Sequence, residues 1–177
     1  MNMKKTKNLT SSFKWWHALI ILLIANLVSA APAGYNGEEA FYNNFELPGI
    51  APPDWLFAPV WLFNNITSLI ALYIVANMPK EVPRRKLFLW LEGVMWLLFA
   101  IFSILYFGLR SPILGAVDTA LGLAATTFSL RLAYDLDRRA FWYILPRFLW
   151  LLLATYVSVY VAIFNRDVLL NVGPFVH

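Results

Sequence analysis

The 177-residue chain contains no cysteine, which removes disulfides, thiolate metal sites and cysteine nucleophiles at once. Histidine is nearly as scarce. His17 and His177 are the two present, too few for a histidine metal cluster, so no metal site is expected. Charge is short as well: charged residues make up 14% of the chain against 60% hydrophobic ones. With a mean hydropathy of +0.63, too few polar side chains remain to cover a water-soluble domain. No glycine-rich phosphate loop, no Ser-His-Asp set and no close carboxylate pair in a motif context is present, so hydrolysis and phosphoryl transfer find no support. The net charge of +4 and a pI near 9.4 do not argue for nucleic acid. The basic residues stand at the ends of apolar runs instead of on one soluble face, which is a pattern of membrane topology.

What the chain does have is long apolar runs. A bilayer core needs about 20 apolar residues per helix, and five segments qualify: 15–31, 55–78, 87–107, 113–133 and 141–164. The expectation is an all-α integral membrane protein, a five-transmembrane-helix bundle spanning 15–166. A basic N-terminus (1–14) precedes it and a short tail (167–177) follows. Connections after the second, third and fourth segments are short, so those helices pack as antiparallel neighbours. The connection 32–54 is the one long enough to fold over something. Its end, Pro52-Pro53-Asp54-Trp55, marks the entry of the second helix: an X-Pro step disfavours the helical region, and the Trp55 ring suits the lipid-water interface. The first segment has an alternative reading. Lysines ahead of a short apolar run ending Val28-Ser29-Ala30-Ala31 also resemble a cleavable secretory signal, although Trp15-Trp16 reads as an interfacial anchor.

Twelve of the fourteen basic residues fall on one side of this arrangement. Lys4, Lys5, Lys7 and Lys14 precede the first segment; Lys80, Arg84, Arg85 and Lys86 join the second and third; Arg131, Arg138, Arg139 and Arg147 surround the last turn. Arg110 and Arg166 are left for the other side. The positive-inside bias places the N-terminus in the cytoplasm and the C-terminus outside. The long loop, carrying Glu38, Glu39, Glu46 and Asp54, then faces outward. A bacterial inner membrane is the first reading of the source membrane, an organelle membrane the second.

Ionisable residues inside a membrane are costly and invite a functional reading. Glu92 and Arg147 each lie about six residues into their helices from the basic side, hence at one depth at 1.5 Å per residue. They are expected to pair, chiefly to fix which helices meet. Asp118 follows Arg110-Ser111-Pro112, where Ser111 suits a helix cap and Pro112 the first helical position. His17 has the chemistry of an axial haem ligand, but at the end of a helix it reads as a polar anchor. Aromatic residues, 17% of the chain, largely belong to lipid-facing belts. By depth a subset separates: Trp61, Phe102, Ala154, Val157 and Tyr160 reach the outer half of one cavity, with Trp150 near its floor. Flat rings, a small Ala154 and few polar groups describe a pocket for a large planar apolar ligand.

These residues resemble the TspO/translocator protein family, also known as tryptophan-rich sensory proteins or peripheral-type benzodiazepine receptors. Phe41-Tyr42 with Pro48 resembles the family's first loop, and Pro52-Pro53-Asp54-Trp55 through Pro59-Val60-Trp61 its second helix. Tyr106-Phe107-Gly108-Leu109-Arg110 with Asp118 is similar to the corner between helices three and four. Leu145-Pro146-Arg147-Phe148-Leu149-Trp150, Ala154-Thr155-Tyr156 and Asn165 resemble the fifth helix. The chain departs from the pattern at Phe99, where the family has Asn, at Phe102-Ser103-Ile104 in place of Trp-Ser-Pro, and at Val157-Ser158 in place of Leu-Asn. Glu92 and Arg147 stand near positions where the family has tyrosines.

The resemblance implies a five-helix bundle, often a homodimer, in contact with membrane lipids. It implies binding of tetrapyrroles such as protoporphyrin IX or haem as ligand, not as cofactor, and in some members of sterols and benzodiazepine-type compounds. Carried over, the pocket is Trp61, Phe99, Phe102, Trp150, Ala154 and Val157, closed by Trp55 and the first loop. Val157, Tyr160 and Arg166 loosely match a cholesterol-recognition pattern, a weak signal in an aromatic helix. Three functions follow: a receptor or transporter for planar lipophiles, light-dependent oxidative degradation of protoporphyrin IX with tryptophans as partners, or a scaffold for other membrane proteins.

Overall fold

The computed structural model describes residues 13–32 and 38–176. Lys4, Lys5, Lys7 and His177, and the side chains of Glu38 and Glu39, lie outside the described residues. Every regular element among the described residues is helical: α1 Trp15–Ala30, α2 Glu38–Asn43, α3 Phe57–Ala76, α4 Arg85–Ser103, α5 Pro112–Leu136 and α6 Arg138–Phe164. A 3-10 turn, Asp54–Leu56, leads into α3, and a π turn, Ile104–Gly108, follows α4. Six helices thus replace the five expected. The addition is α2, six residues inside the first loop, too short and too polar at its start to announce itself by hydrophobic periodicity.

Counting the turns, four helices among the described residues are long and apolar enough to cross a bilayer: Asp54–Ala76, Arg85–Gly108, Pro112–Leu136 and Arg138–Phe164. The protein is accordingly a multi-pass membrane protein. α1 has 16 residues, about 24 Å at 1.5 Å per residue, against a hydrocarbon core of about 30 Å. Only Ala25 of its side chains is buried.

The helix ends follow local chemistry. Pro53 is extended (ψ 148°) and holds the chain out of helix until Asp54. Pro59 falls in the first turn of α3, where its missing amide hydrogen has no partner to lose. At the opposite end Arg85 folds back, its Nε donating to the Val75 carbonyl at 3.2 Å and Nη2 to that of Ala76 at 2.6 Å. These satisfy terminal carbonyls of α3. Asp137 alone separates α5 from α6 and caps the latter through the Arg139 amide at 2.7 Å, so the two helices must run antiparallel. Its carboxyl is held below the ordinary carboxylate range, first by the hydrogen bond from the Arg139 side chain.

Packing is layered along the bundle. At the basic end, Ala71 and Val75 of α3, Phe88 of α4, Leu132 and Ala133 of α5, and Ala140 and Ile144 of α6 form one apolar cluster. Further along, Met95, Ala125 and Leu151 form a second, with Trp61 against it. Beneath the first loop a third joins Tyr42 to Val157 and Val161.

The π turn rotates Tyr106 inward, where it is 4% exposed and stacks on Phe102 at 5.4 Å between centroids. Gly115 of α5 makes room for that ring: a Cβ there would stand 2.5 Å from Tyr106 Cδ2. Phe41 and Phe107 pack edge-on against the same ring at 5.4 and 4.8 Å, so it has little room to retreat. Gly115→Ala is therefore expected to destabilise the protein by about 1–3 kcal/mol, the cost of overpacking a filled site, read as a lower melting temperature in detergent.

The chain after α6 is fastened rather than free. Asp167 is fully buried and accepts hydrogen bonds from Ser111 Oγ and from the amides of Ile113 and Leu170, the latter two at 3.0 and 2.8 Å. Burial alone would raise its pKa, but the Ser111 hydroxyl and the backbone amides outweigh this and hold it below the ordinary value of 3.8. A carboxyl depressed on folding adds stability that is complete above its unfolded pKa and is lost as pH falls through the folded one. The wild type should lose melting temperature below about pH 4. Asp167→Asn should start lower at pH 7 and lose less on the acid limb, because that component cannot titrate.

Candidate functional site

A cavity of about 430 Å³ lies between the helices beneath the first loop, within the range typical of small-molecule sites. α3 supplies Phe57, Ala58 and Trp61, and α4 supplies Met95, Leu98, Phe99, Phe102 and Ser103. α5 supplies Asp118, Thr119 and Gly122; α6 supplies Trp150, Leu151, Ala154, Val157 and Ser158. Trp55 and Asp54 of the 3-10 turn, with Tyr42 and Pro52, line the loop end, and Asn26, Ser29 and Ala30 of α1 one flank. Helical register puts Met95, Gly122 and Leu151 furthest from the loop, and they form its floor. The walls are aromatic: Trp61 lies 5.3 Å from Phe99 and Phe57 5.7 Å from Trp150, centroid to centroid.

Seven of the eight residues singled out in the sequence come together here: Trp55, Trp61, Phe99, Phe102, Trp150, Ala154 and Val157. Tyr160 does not. It is three residues on from Val157, a net offset of about 60° around a 3.6-residue helix, on the side away from the lining residues Ala154 and Val161. Its ring stacks on Phe164 at 4.2 Å and its hydroxyl donates to Glu46 Oε1 at 3.3 Å. Depth alone placed it near the cavity, and helical phase takes it outside. His17 also stays away, its Nδ1 accepting from the Lys14 amide at 2.9 Å at the start of α1.

The first loop is held as a roof by three fastenings. The Tyr42 hydroxyl donates to the Pro52 carbonyl at 3.0 Å and its ring meets Phe57 edge-on at 5.2 Å. Asn43 Nδ2 donates to Asp54 Oδ2 at 2.9 Å. At the end of α6, Asn165 brackets Glu46: its Oδ1 accepts from the Glu46 amide at 2.8 Å and its Nδ2 donates to the Glu46 carbonyl at 3.0 Å. Burial first, and then the Asp54 carboxylate, push the Tyr42 phenol up to about 12, so it remains a donor throughout the physiological range. α1 is joined to α4 at this level by the Ser29 and Ser103 hydroxyls, 3.2 Å apart.

Two polar atoms of the lining are buried without a protein partner, Asp118 Oδ1 and Trp150 Nε1. Buried polar atoms are rarely left so, and here one acceptor and one donor belong to side chains of a mostly apolar lining. Asp118 was legible in sequence as a membrane-embedded acid; Tyr42 and Asn165 stood out through the family resemblance but not for their part in the roof, and Met95 carried no signal. Beneath the floor, Arg147 Nη1 and Nη2 donate to the two carboxylate oxygens of Glu92 at 2.9 and 2.6 Å. Both side chains are buried, at 3% and 0% exposure. Neither lines the cavity. Among the described residues no group of three or more His, Cys, Asp and Glu side chains is placed to hold a metal.

The TspO/MBR family model matches residues 17–164. A "Tryptophan-rich protein TspO" from Archaeoglobus fulgidus is 26% identical over 155 residues, covering 82% of this chain and 98% of that protein. Proteins of the same name from Bacillus cereus and Chlorobaculum tepidum are 28% and 26% identical over 123 and 118 residues. These alignments cover 68% and 67% of this chain and 78% and 75% of the respective relatives.

Proposed function

The chain belongs to the TspO/MBR family, and from that premise we propose that it is a membrane receptor or transporter whose aromatic cavity binds a large planar lipophile. A tetrapyrrole such as protoporphyrin IX or haem fits this reading best. The observation that carries it is the convergence of Trp61, Phe99, Phe102 and Trp150 on one space beneath a fastened loop. Flat apolar walls reward a flat apolar ligand through area and ring stacking, and Asp118 with Trp150 Nε1 offers a polar ligand edge both an acceptor and a donor. Phe99 and Ser158 stand where the family has amides, which favours a ligand with few polar groups along that wall; sterols and other lipids belong to the same class. In this reading α1 is the fifth membrane span, the N-terminus is cytoplasmic and the loop roof lies outside, as the distribution of lysine and arginine supports.

A second reading, light-dependent oxidative degradation of bound protoporphyrin IX, is supported by the presence of both Trp61 and Trp150 in the cavity wall. One experiment separates the two. Purified protein in detergent is titrated with protoporphyrin IX in the dark, followed by tryptophan quenching, and is then illuminated. Saturable quenching with an unchanged porphyrin spectrum is expected for the receptor. Protein-dependent bleaching that disappears in Trp61→Phe and Trp150→Phe, which keep stacking area but not indole redox chemistry, would replace it with the degradation reading. Lack of saturable quenching would overturn both for this ligand.

A further inference from the structure

Besides the polar residues that line the cavity, each of the four long helices carries deeply buried polar residues between the apolar cluster at the basic end and the cavity floor. On α3 these are Asn64, Asn65 and Ser68, between Trp61 and Ala71. On α4 it is Glu92, between Phe88 and Met95. Thr126 and Ser129 of α5 lie between Ala125 and Leu132, and Arg147 of α6 between Ile144 and Leu151. All seven side chains are 4% exposed or less, and none lines the cavity. They form a polar level that begins about one helical turn below the cavity floor and reaches about two, roughly 5–10 Å at 1.5 Å per residue.

Six atoms of this level have no protein partner: Asn64 Nδ2, Asn65 Nδ2, Ser68 Oγ, Thr126 Oγ1, Ser129 Oγ and Arg147 Nε. Helical hydroxyls have a ready alternative in the backbone carbonyl three or four residues back. Thr67 takes it, donating to the Asn64 carbonyl at 3.1 Å, and Thr127 does so toward Leu123 at 2.7 Å. Ser68, Thr126 and Ser129 do not, although each sits in the same kind of helix. A buried polar atom left unpaired costs as much as a lost hydrogen bond or more, and six on one level would be a large fraction of a protein's marginal stability.

We infer that this level is a second, polar compartment that binds a cluster of water molecules around the Glu92–Arg147 pair, separated from the ligand cavity by Met95 and Leu151. The chemistry selects water over an ion. Glu92 and Arg147 cancel each other's charge, so no net field calls for a counter-ion. The partnerless set mixes fixed donors, the two amide nitrogens and the guanidinium Nε, with hydroxyls that both donate and accept; a species able to do both satisfies all of them, and one buried water takes two to four such partners. Water also explains how a charged pair is tolerated at this depth, since Arg147 Nε receives an acceptor that the protein does not supply. The inference does not depend on which ligand occupies the cavity above.

The test uses the full chain in lipid nanodiscs with arginine labelled by nitrogen-15. The Arg147 Nε–H resonance is identified by its loss in Arg147→Lys, and magnetisation transfer from water is then measured on the wild type. A cross-peak between water and Arg147 Nε–H is expected. Its companion is thermal unfolding of Thr126→Val and Ser129→Ala, which keep shape and remove only partners for water, and both should melt below the wild type. Absence of the cross-peak overturns the inference whatever the variants do. Variants that melt at or above the wild type overturn it as well, because a dry level gains from losing unpaired hydroxyls.

Discussion

Glu92→Gln alone is expected to lower the stability of the detergent-solubilised protein by about 3–5 kcal/mol, the cost of breaking a buried pair by removing one partner. The reasoning is electrostatic. Arg147 is 3% exposed and directs two guanidinium nitrogens at Glu92, so a neutral amide at position 92 leaves a buried cation without its counter-charge. A glutamine also cannot accept both bonds, since one of its two terminal atoms is a donor. Glu92→Leu combined with Arg147→Met should recover most of the loss, because replacing both ions by apolar groups of similar volume is often neutral or stabilising. Thermal unfolding of the single and double variants in one detergent measures this directly. Equal losses in both would mean that the pair does not act as a unit and that each residue is needed for a separate reason.

Ala154→Phe is expected to abolish saturable protoporphyrin IX binding, or weaken it at least tenfold, which is about 1.4 kcal/mol, while leaving the fold intact. Ala154 lines the cavity from α6, one turn beyond Trp150. A phenyl group there occupies space that the ligand requires, and α6 already tolerates aromatic side chains along its length. Filling a void does not by itself strain a protein, so the melting temperature should hold or rise slightly. Tryptophan quenching of the folded variant provides the readout. Undiminished binding would move the ligand out of this cavity.

Much of this was legible in the chain itself, for reasons that differ by residue. Apolar runs of membrane length and the proline steps around Asp54 define the four long helices, because bilayer thickness and backbone sterics leave few alternatives. Glu92 and Arg147 read as neighbours from depth alone, since a charge inside a membrane must find its complement. Depth says nothing about helical phase, and that is where Tyr160 parts from Val157: it is offset by about 60° to the side away from Ala154 and Val161, past the edge of the cavity-facing stripe. The helix α2 escaped because six residues folding onto a loop owe their helicity to tertiary packing, here Tyr42 against Phe57 and Phe41 against Tyr106, more than to pattern. The buried carboxylate of Asp167 was hidden for a similar reason. Its partners, Ser111 and Ile113, lie more than fifty residues earlier in the chain and meet it only once α5 and α6 are side by side.

The account rests on the aromatic cavity as the place where a planar lipophile binds. Its most direct test is an experimental structure of the protein in nanodiscs saturated with protoporphyrin IX. Density for the macrocycle between Trp61 and Trp150, under the loop fastened by Asn165, is the predicted result. Density confined to the lipid-facing tryptophans Trp90 and Trp142, each 66% exposed, with the cavity unfilled, would contradict it.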